Sequence, residues 1–151
     1  METSSNIEKF DLIAGKAFSL LYESFPMPRG LVFGNFLEEE KVFTYDEKMM
    51  MDVPSKESDF VLQSLLWLMD SGFIQAKRSD LGLMQAVLTV KGLEVLKQMP
   101  SSIAGDDAKK TLGERLVDAS KSGSKAALAS AFNQALSIGV SALLRAQGIS
   151  G

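Results

Sequence analysis

A mainly helical α+β fold is predicted, a small domain with a C-terminal helical arm, and three stretches predict it. Residues 59–75, DFVLQSLLWLMDSGFIQ, have the apolar spacing of a helix and run through a glycine into a strand-like segment. Residues 88–96, LTVKGLEVL, follow as a capped closing helix. Between Lys125 and Arg145 stand 19 residues without a charge, apolar at helical spacing. A chain of 151 residues is long enough to bury a core in one domain with an appendage.

Taken in order, residues 7–25 form a first helix with Ile7, Phe10, Ala14, Ala17, Phe18, Leu21 and Phe25 along one face. Pro26 and Pro28 end it, since neither donates a helical hydrogen bond. The Gly15-Lys16 pair does not make a phosphate loop, because the first glycine of that motif would have to stand where Phe10 does. Lys16 is therefore expected on a solvated helix face. Residues 28–37 suit a short second helix through Leu31, Val32, Phe33, Phe36 and Leu37, weakened by Gly34. Glu38, Glu39 and Glu40 read as its solvated end, and residues 41–45 as a short strand. Residues 46–56 read as an inserted loop. Met49, Met50 and Met51 cannot all face one side of a regular element. Small satellite core under the loop is the expectation for them, a soft binding surface the alternative.

The central helix spans residues 60–70, with Leu62, Leu65, Leu66 and Met69 at i, i+3, i+4 and i+7. Ser58 is the expected N-cap and Gly72 the stop. Residues 73–77 then read as a strand, 78–82 as a polar turn and 83–88 as the returning strand. Thr89 caps a short helix over residues 90–98, which Pro100 ends. The stretches FVLQSLLWLMDSGFI and LTVKGLEVL resemble the recognition helix, wing and closing helix of the prokaryotic winged helix-turn-helix superfamily. The likeness covers residues 7–98. It implies a winged-helix domain with a small β wing, and it implies little about function, because that superfamily contains repressors, activators and pure protein-interaction modules.

Composition narrows the chemistry. The chain has neither cysteine nor histidine, so zinc sites of the Cys/His kind and Ser-His-Asp triads cannot form. Acidic pairs such as Asp46/Glu47 and Asp106/Asp107 lie in loop-like stretches with nothing to separate their pKa values. No enzyme, cofactor or metal site is expected. At about 100° per residue, the exposed arc of the central helix carries Gln63, Ser64, Asp70 and Ser71, with Phe60 and Trp67 near its centre. The arc holds no Lys or Arg, and the wing adds only Lys77 and Arg78. Residues 1–100 carry ten basic against fifteen acidic side chains. DNA affinity rests on phosphate neutralisation, so this domain is poorly equipped as a DNA reader. Phe60, Gln63, Trp67, Lys77 and Arg78 are instead read as an interaction face. Trp67 is either core or an anchor for a partner.

The C-terminal part divides into a linker over residues 101–110 and an arm over 111–151. Thr111 and Glu114 have capping-box spacing before a short helix to Lys121. In the uncharged stretch Leu128, Phe132, Leu136 and Leu143 form a stripe flanked by Ala135, Gly139 and Val140, with Ser130, Gln134, Ser137 and Ser141 opposite. Small uncharged residues permit close helix approach, so Leu128, Phe132, Ala135, Leu136, Gly139 and Leu143 are expected at a subunit interface; packing on the domain and membrane association are the alternatives. The N-terminus METSSNIEKFD lacks the basic and apolar regions of a secretory signal, so a cytoplasmic protein is expected. Residues 1–100 are expected to fold alone. The predicted function is a non-enzymatic adaptor or regulator acting through protein contacts as a homo-oligomer. A DNA-binding regulator dimerised by the arm and a membrane-associated accessory protein are the alternatives.

Overall fold

The computed structural model describes residues 5–100 and 109–146, with side chains described up to Ser141. It is mainly helical α+β, as expected. In chain order come α1 (Asn6–Ser24), β1 (Arg29–Val32), a 3-10 turn (Phe33–Asn35), α2 (Glu39–Val42), β2 (Phe43–Asp46) and β3 (Met51–Pro54). They are followed by α3 (Lys56–Asp70), β4 (Ile74–Ser79), β5 (Gly82–Leu88), α4 (Val90–Leu96), α5 (Leu112–Ser122) and α6 (Lys125–Ala146). Strands β1, β5 and β4 form an antiparallel sheet in that order, while β2 and β3 pair only with each other. A small sheet beside helices is compatible with a winged-helix-like architecture.

Two expectations change locally. Arg29–Val32 is a strand, not the start of a helix. Gly30 and the β-branched Val32 disfavour a helix there, and the free edge of β5 offers hydrogen-bonding partners that an unpaired edge would leave unmade. Leu31 lies opposite Leu83, and both are buried. The central helix also starts a turn earlier than its apolar pattern shows. Ser55 is the cap, its hydroxyl accepting from the Ser58 N–H at 3.1 Å. Ser58 is buried inside the first turn and donates to the Val42 carbonyl at 2.7 Å.

The larger correction concerns the C-terminal helices. Thr111 and Glu114 form the expected capping box, each side chain accepting from the other's backbone N–H. The helices they open do not form a free arm, because α5 and α6 pack on α1. Phe132 is fully buried, its ring 5.6 Å from Phe10 and 5.4 Å from Phe18, centroid to centroid. Phe18 in turn meets Phe73 at 5.6 Å, and Phe10 meets Trp67 at 5.3 Å edge-on. The Asn133 side-chain amide donates to the carboxylate of buried Asp11 at 3.0 Å, tying α6 to α1 a second time. The Tyr22 hydroxyl meets the Thr111 hydroxyl at 3.1 Å, tying α5 to α1.

Leu128, Phe132 and Ala135, expected at a subunit interface, are thus buried within the chain, with Leu136 packed beside them. Gly139 serves the same packing: a Cβ there would stand 2.7 Å from the Phe73 ring. At Gly15 a Cβ would lie 3.0 Å from Leu128, so the glycine that suggested a phosphate loop lets two helices touch. Val140 is exposed, and the side chain of Leu143 lies outside the described residues, as do residues 101–108 of the expected linker. The expected boundary near Pro100 therefore does not separate two cores, because Phe10 and Phe18 share theirs with Phe132.

Three outcomes follow from this packing. Phe132→Ala is expected to lower stability by about 3–5 kcal/mol in urea denaturation, as for other fully buried aromatics, and to leave the oligomeric state by light scattering as in wild type. Gly139→Val is expected to cost about 1–3 kcal/mol by over-packing against Phe73. A fragment ending at Pro100 should lose the near-ultraviolet dichroism of its packed aromatic rings, and a native-like spectrum from that fragment would contradict the shared core.

Candidate functional site

The residues read from sequence as an interaction face are only partly together. Phe60, Gln63 and Trp67 share one side of α3, at i, i+3 and i+7. Trp67 is 45% exposed, with one edge against Phe10, so it is neither core nor a free side chain. Lys77 and Arg78 are neighbours in β4 and point to opposite faces of the sheet. Lys77 stands opposite exposed Met84, and Arg78 opposite buried Leu83. The other exposed side chains of α3 include Glu57, Asp59 and Asp70 against Lys56.

A second surface was not expected in this form. The expected short strand over residues 41–45 and the segment read as a loop after it form a hairpin, with Phe43 opposite Pro54, Thr44 opposite Val53, Tyr45 opposite Asp52 and Asp46 opposite Met51. Asp46 shapes its turn by accepting from the Lys48 and Met49 N–H groups at 2.8 and 3.2 Å. Directly opposed residues of an antiparallel pair share a face. Phe43 and Tyr45 thus lie on one side, Met51 on the other, and Met49 and Met50 at the tip. All five are between 45% and 77% exposed. The methionines are a surface, contrary to the expected satellite core. The hairpin's base is held firmly: Ser55 donates its hydroxyl to the Lys41 carbonyl and its N–H to Val42, and Ser58 adds its own bond to Val42.

Beside that base lies a groove of about 670 Å³. One wall is a strip of α1, Lys9, Leu12, Ile13 and Lys16, at the i, i+3, i+4, i+7 spacing of a single helical face. Phe36 and Leu37 come from the segment between the 3-10 turn and α2, Lys41 from α2, and Lys56, Phe60 and Val61 from the start of α3. The turn between α5 and α6 closes it with Ser124, Lys125 and Leu128 among others. Lys16, expected in open solvent, is partly buried on this wall. The signal that could have found the strip was present in α1, as two lysines bracketing a second apolar pair. The stronger core stripe of that helix masks it.

Among the described residues no group of carboxylates is placed to hold a metal ion. Also among the described residues, no helix is long and apolar enough to cross a membrane. Comparison with family models, with curated proteins and with solved structures found no match to this chain.

Proposed function

We propose that the protein is a non-enzymatic adaptor or regulator that acts by binding another protein through the β2–β3 hairpin. The observation that carries this reading is the concentration of Phe43, Tyr45, Met49, Met50 and Met51 on a two-stranded ribbon with both faces in solvent. A lone two-stranded hairpin is marginal in water, and aromatic and methionine side chains are enriched where protein partners dock. Methionine adds adaptability, since its unbranched thioether repacks against different surfaces.

Charge favours a protein over the alternatives. Asp46, Glu47 and Asp52 surround the apolar residues of the hairpin, against Lys48 alone. Such a surface is repelled by anionic lipid and by phosphate. The exposed side of α3 is acidic as well, which leaves the DNA-reading alternative with little to neutralise a backbone. Homo-oligomerisation through α6 is not part of the proposal, because its stripe is already covered by α1.

The test is a triple substitution, Tyr45→Ser with Met49→Ser and Met50→Ser. All three side chains are exposed, so the melting temperature should stay within about 2 °C of wild type. Affinity capture from nuclease-treated extract should yield a protein partner with wild type and lose it with the variant. Sedimentation at increasing concentration would reveal whether that partner is a second copy. Capture of the same proteins by both forms would overturn the hairpin as the contact, and binding abolished by the nuclease would favour the DNA-reading alternative.

A further inference from the structure

We propose that the groove between α1, α2, α3 and the α5–α6 turn binds a free fatty acid anion, with the chain on the apolar floor and the carboxylate among the lysines. Its volume of about 670 Å³ falls within the roughly 300–1,000 Å³ that suits a small ligand. Leu12, Ile13, Phe36, Leu37 and Phe60 line it while only partly buried. They therefore keep apolar surface that a hydrocarbon chain would remove from water.

Charge distribution selects the head group. Lys9, Lys16, Lys41, Lys56 and Lys125 all line the groove, against Glu57 alone. Five of the chain's 16 basic residues are thus gathered on one cavity of a protein whose formal net charge is −3. Among the described residues none of the five makes an ion pair. Lys41 has Glu40 as its sequence neighbour, and that carboxyl is held below the usual carboxylate range, first by a hydrogen bond from a backbone N–H. Lysines can hold a single carboxylate at the end of an apolar chain. A flexible apolar stem lies along the floor while the ammonium meets the carboxylate as a point charge, and a guanidinium can take the same role.

The few polar side chains of the groove argue against a sugar or a nucleotide. Asn35 already accepts from the Val32 N–H at 3.0 Å, and the Ser124 hydroxyl from the Ala127 N–H at 3.2 Å. With those two acceptors engaged and Ser120 the remaining neutral polar side chain, the cavity offers mostly apolar contact and positive charge. An amphiphile with one anionic end uses both.

The experiment uses the full chain and isothermal titration calorimetry with decanoate below its micelle threshold. Decyl maltoside and decyltrimethylammonium carry the same chain with neutral and cationic heads. Saturable binding of one decanoate is expected, at least about tenfold tighter than either comparator. Lys16→Gln with Lys56→Gln should weaken it about tenfold, and arginine at both positions should restore it. If that pair fails to fold, Lys9→Gln with Lys125→Gln removes charge from two exposed side chains instead. Methyl resonances of Leu12, Ile13, Leu37 and Leu128 should shift on titration. No binding up to about 1 mM, equal affinity for the three heads, or shifts confined to the hairpin methionines would overturn the proposal. So would sedimentation with phosphatidylglycerol vesicles in the absence of decanoate binding. The hairpin triple variant should bind decanoate as wild type does, so the two proposals fail separately.

Discussion

The core of the described residues is built around α1. Its rings reach both ways: Phe18 meets Phe73 beside the sheet, while Phe10 and Phe18 together enclose Phe132 of α6. Trp67 continues the line through Phe10, so α3, α1, α6 and the start of β4 are joined by one run of aromatic contacts. Such pairs gain energy beyond their buried area when edges meet faces, as the Phe10–Trp67 and Phe10–Phe132 pairs do. The helix can be enclosed this fully because Ala14, Gly15 and Ala17 are small. A bulkier residue at Gly15 would push α6 away through Leu128, and Phe132 would lose its place between the two rings.

Enclosure also defines what stays open. With one face against the sheet and another against α5 and α6, the strip of Lys9, Leu12, Ile13 and Lys16 is left as a wall with nothing packed fully onto it. The groove is thus a by-product of how α1 is covered. Its far wall is built from the first turns of α3 and α6, and the partial positive charge at those helix ends adds to the lysines around them.

Reading the sequence succeeded where one segment carries its own pattern. The i, i+3, i+4 spacing of α1, α3, α4 and α5 is a local property, and Thr89, Thr111 and Gly72 mark helix ends much as expected, although Ser55 and not Ser58 caps α3. It failed where the deciding partner is distant. Arg29–Val32 is a strand because β5, some fifty residues on, presents an edge to it. The stripe of α6 is satisfied by α1, and helical periodicity says that a face is buried without saying by what. Gly139 was legible as a close-approach residue, but an aromatic ring at Phe73 serves as well as a second helix. The hairpin was half legible: residues 41–45 read as a strand, while three successive methionines and Pro54 point to a loop where β3 forms. The groove was less legible still, because four separate segments contribute its lysines.

Hairpin and groove share their stems. Lys41 immediately precedes the residue that leads into β2, and Lys56 opens α3 directly after the Ser55 cap that follows β3. The hydrogen bonds from Ser55 and Ser58 to the carbonyls of Lys41 and Val42 lock these stems together, so the ribbon projects from a fixed base. A carboxylate drawn to Lys41 and Lys56 would sit against both stems without touching Met49 or Met50 at the tip. Two proposed contacts, one with a partner protein and one with a small anion, therefore meet at the same pair of serines. Any preference of the anion for one orientation of the hairpin would necessarily be returned as a change in its own affinity when the partner binds. The rigidity of the serine clamp sets the scale of that exchange: a base that does not move transmits little, and one that yields transmits more.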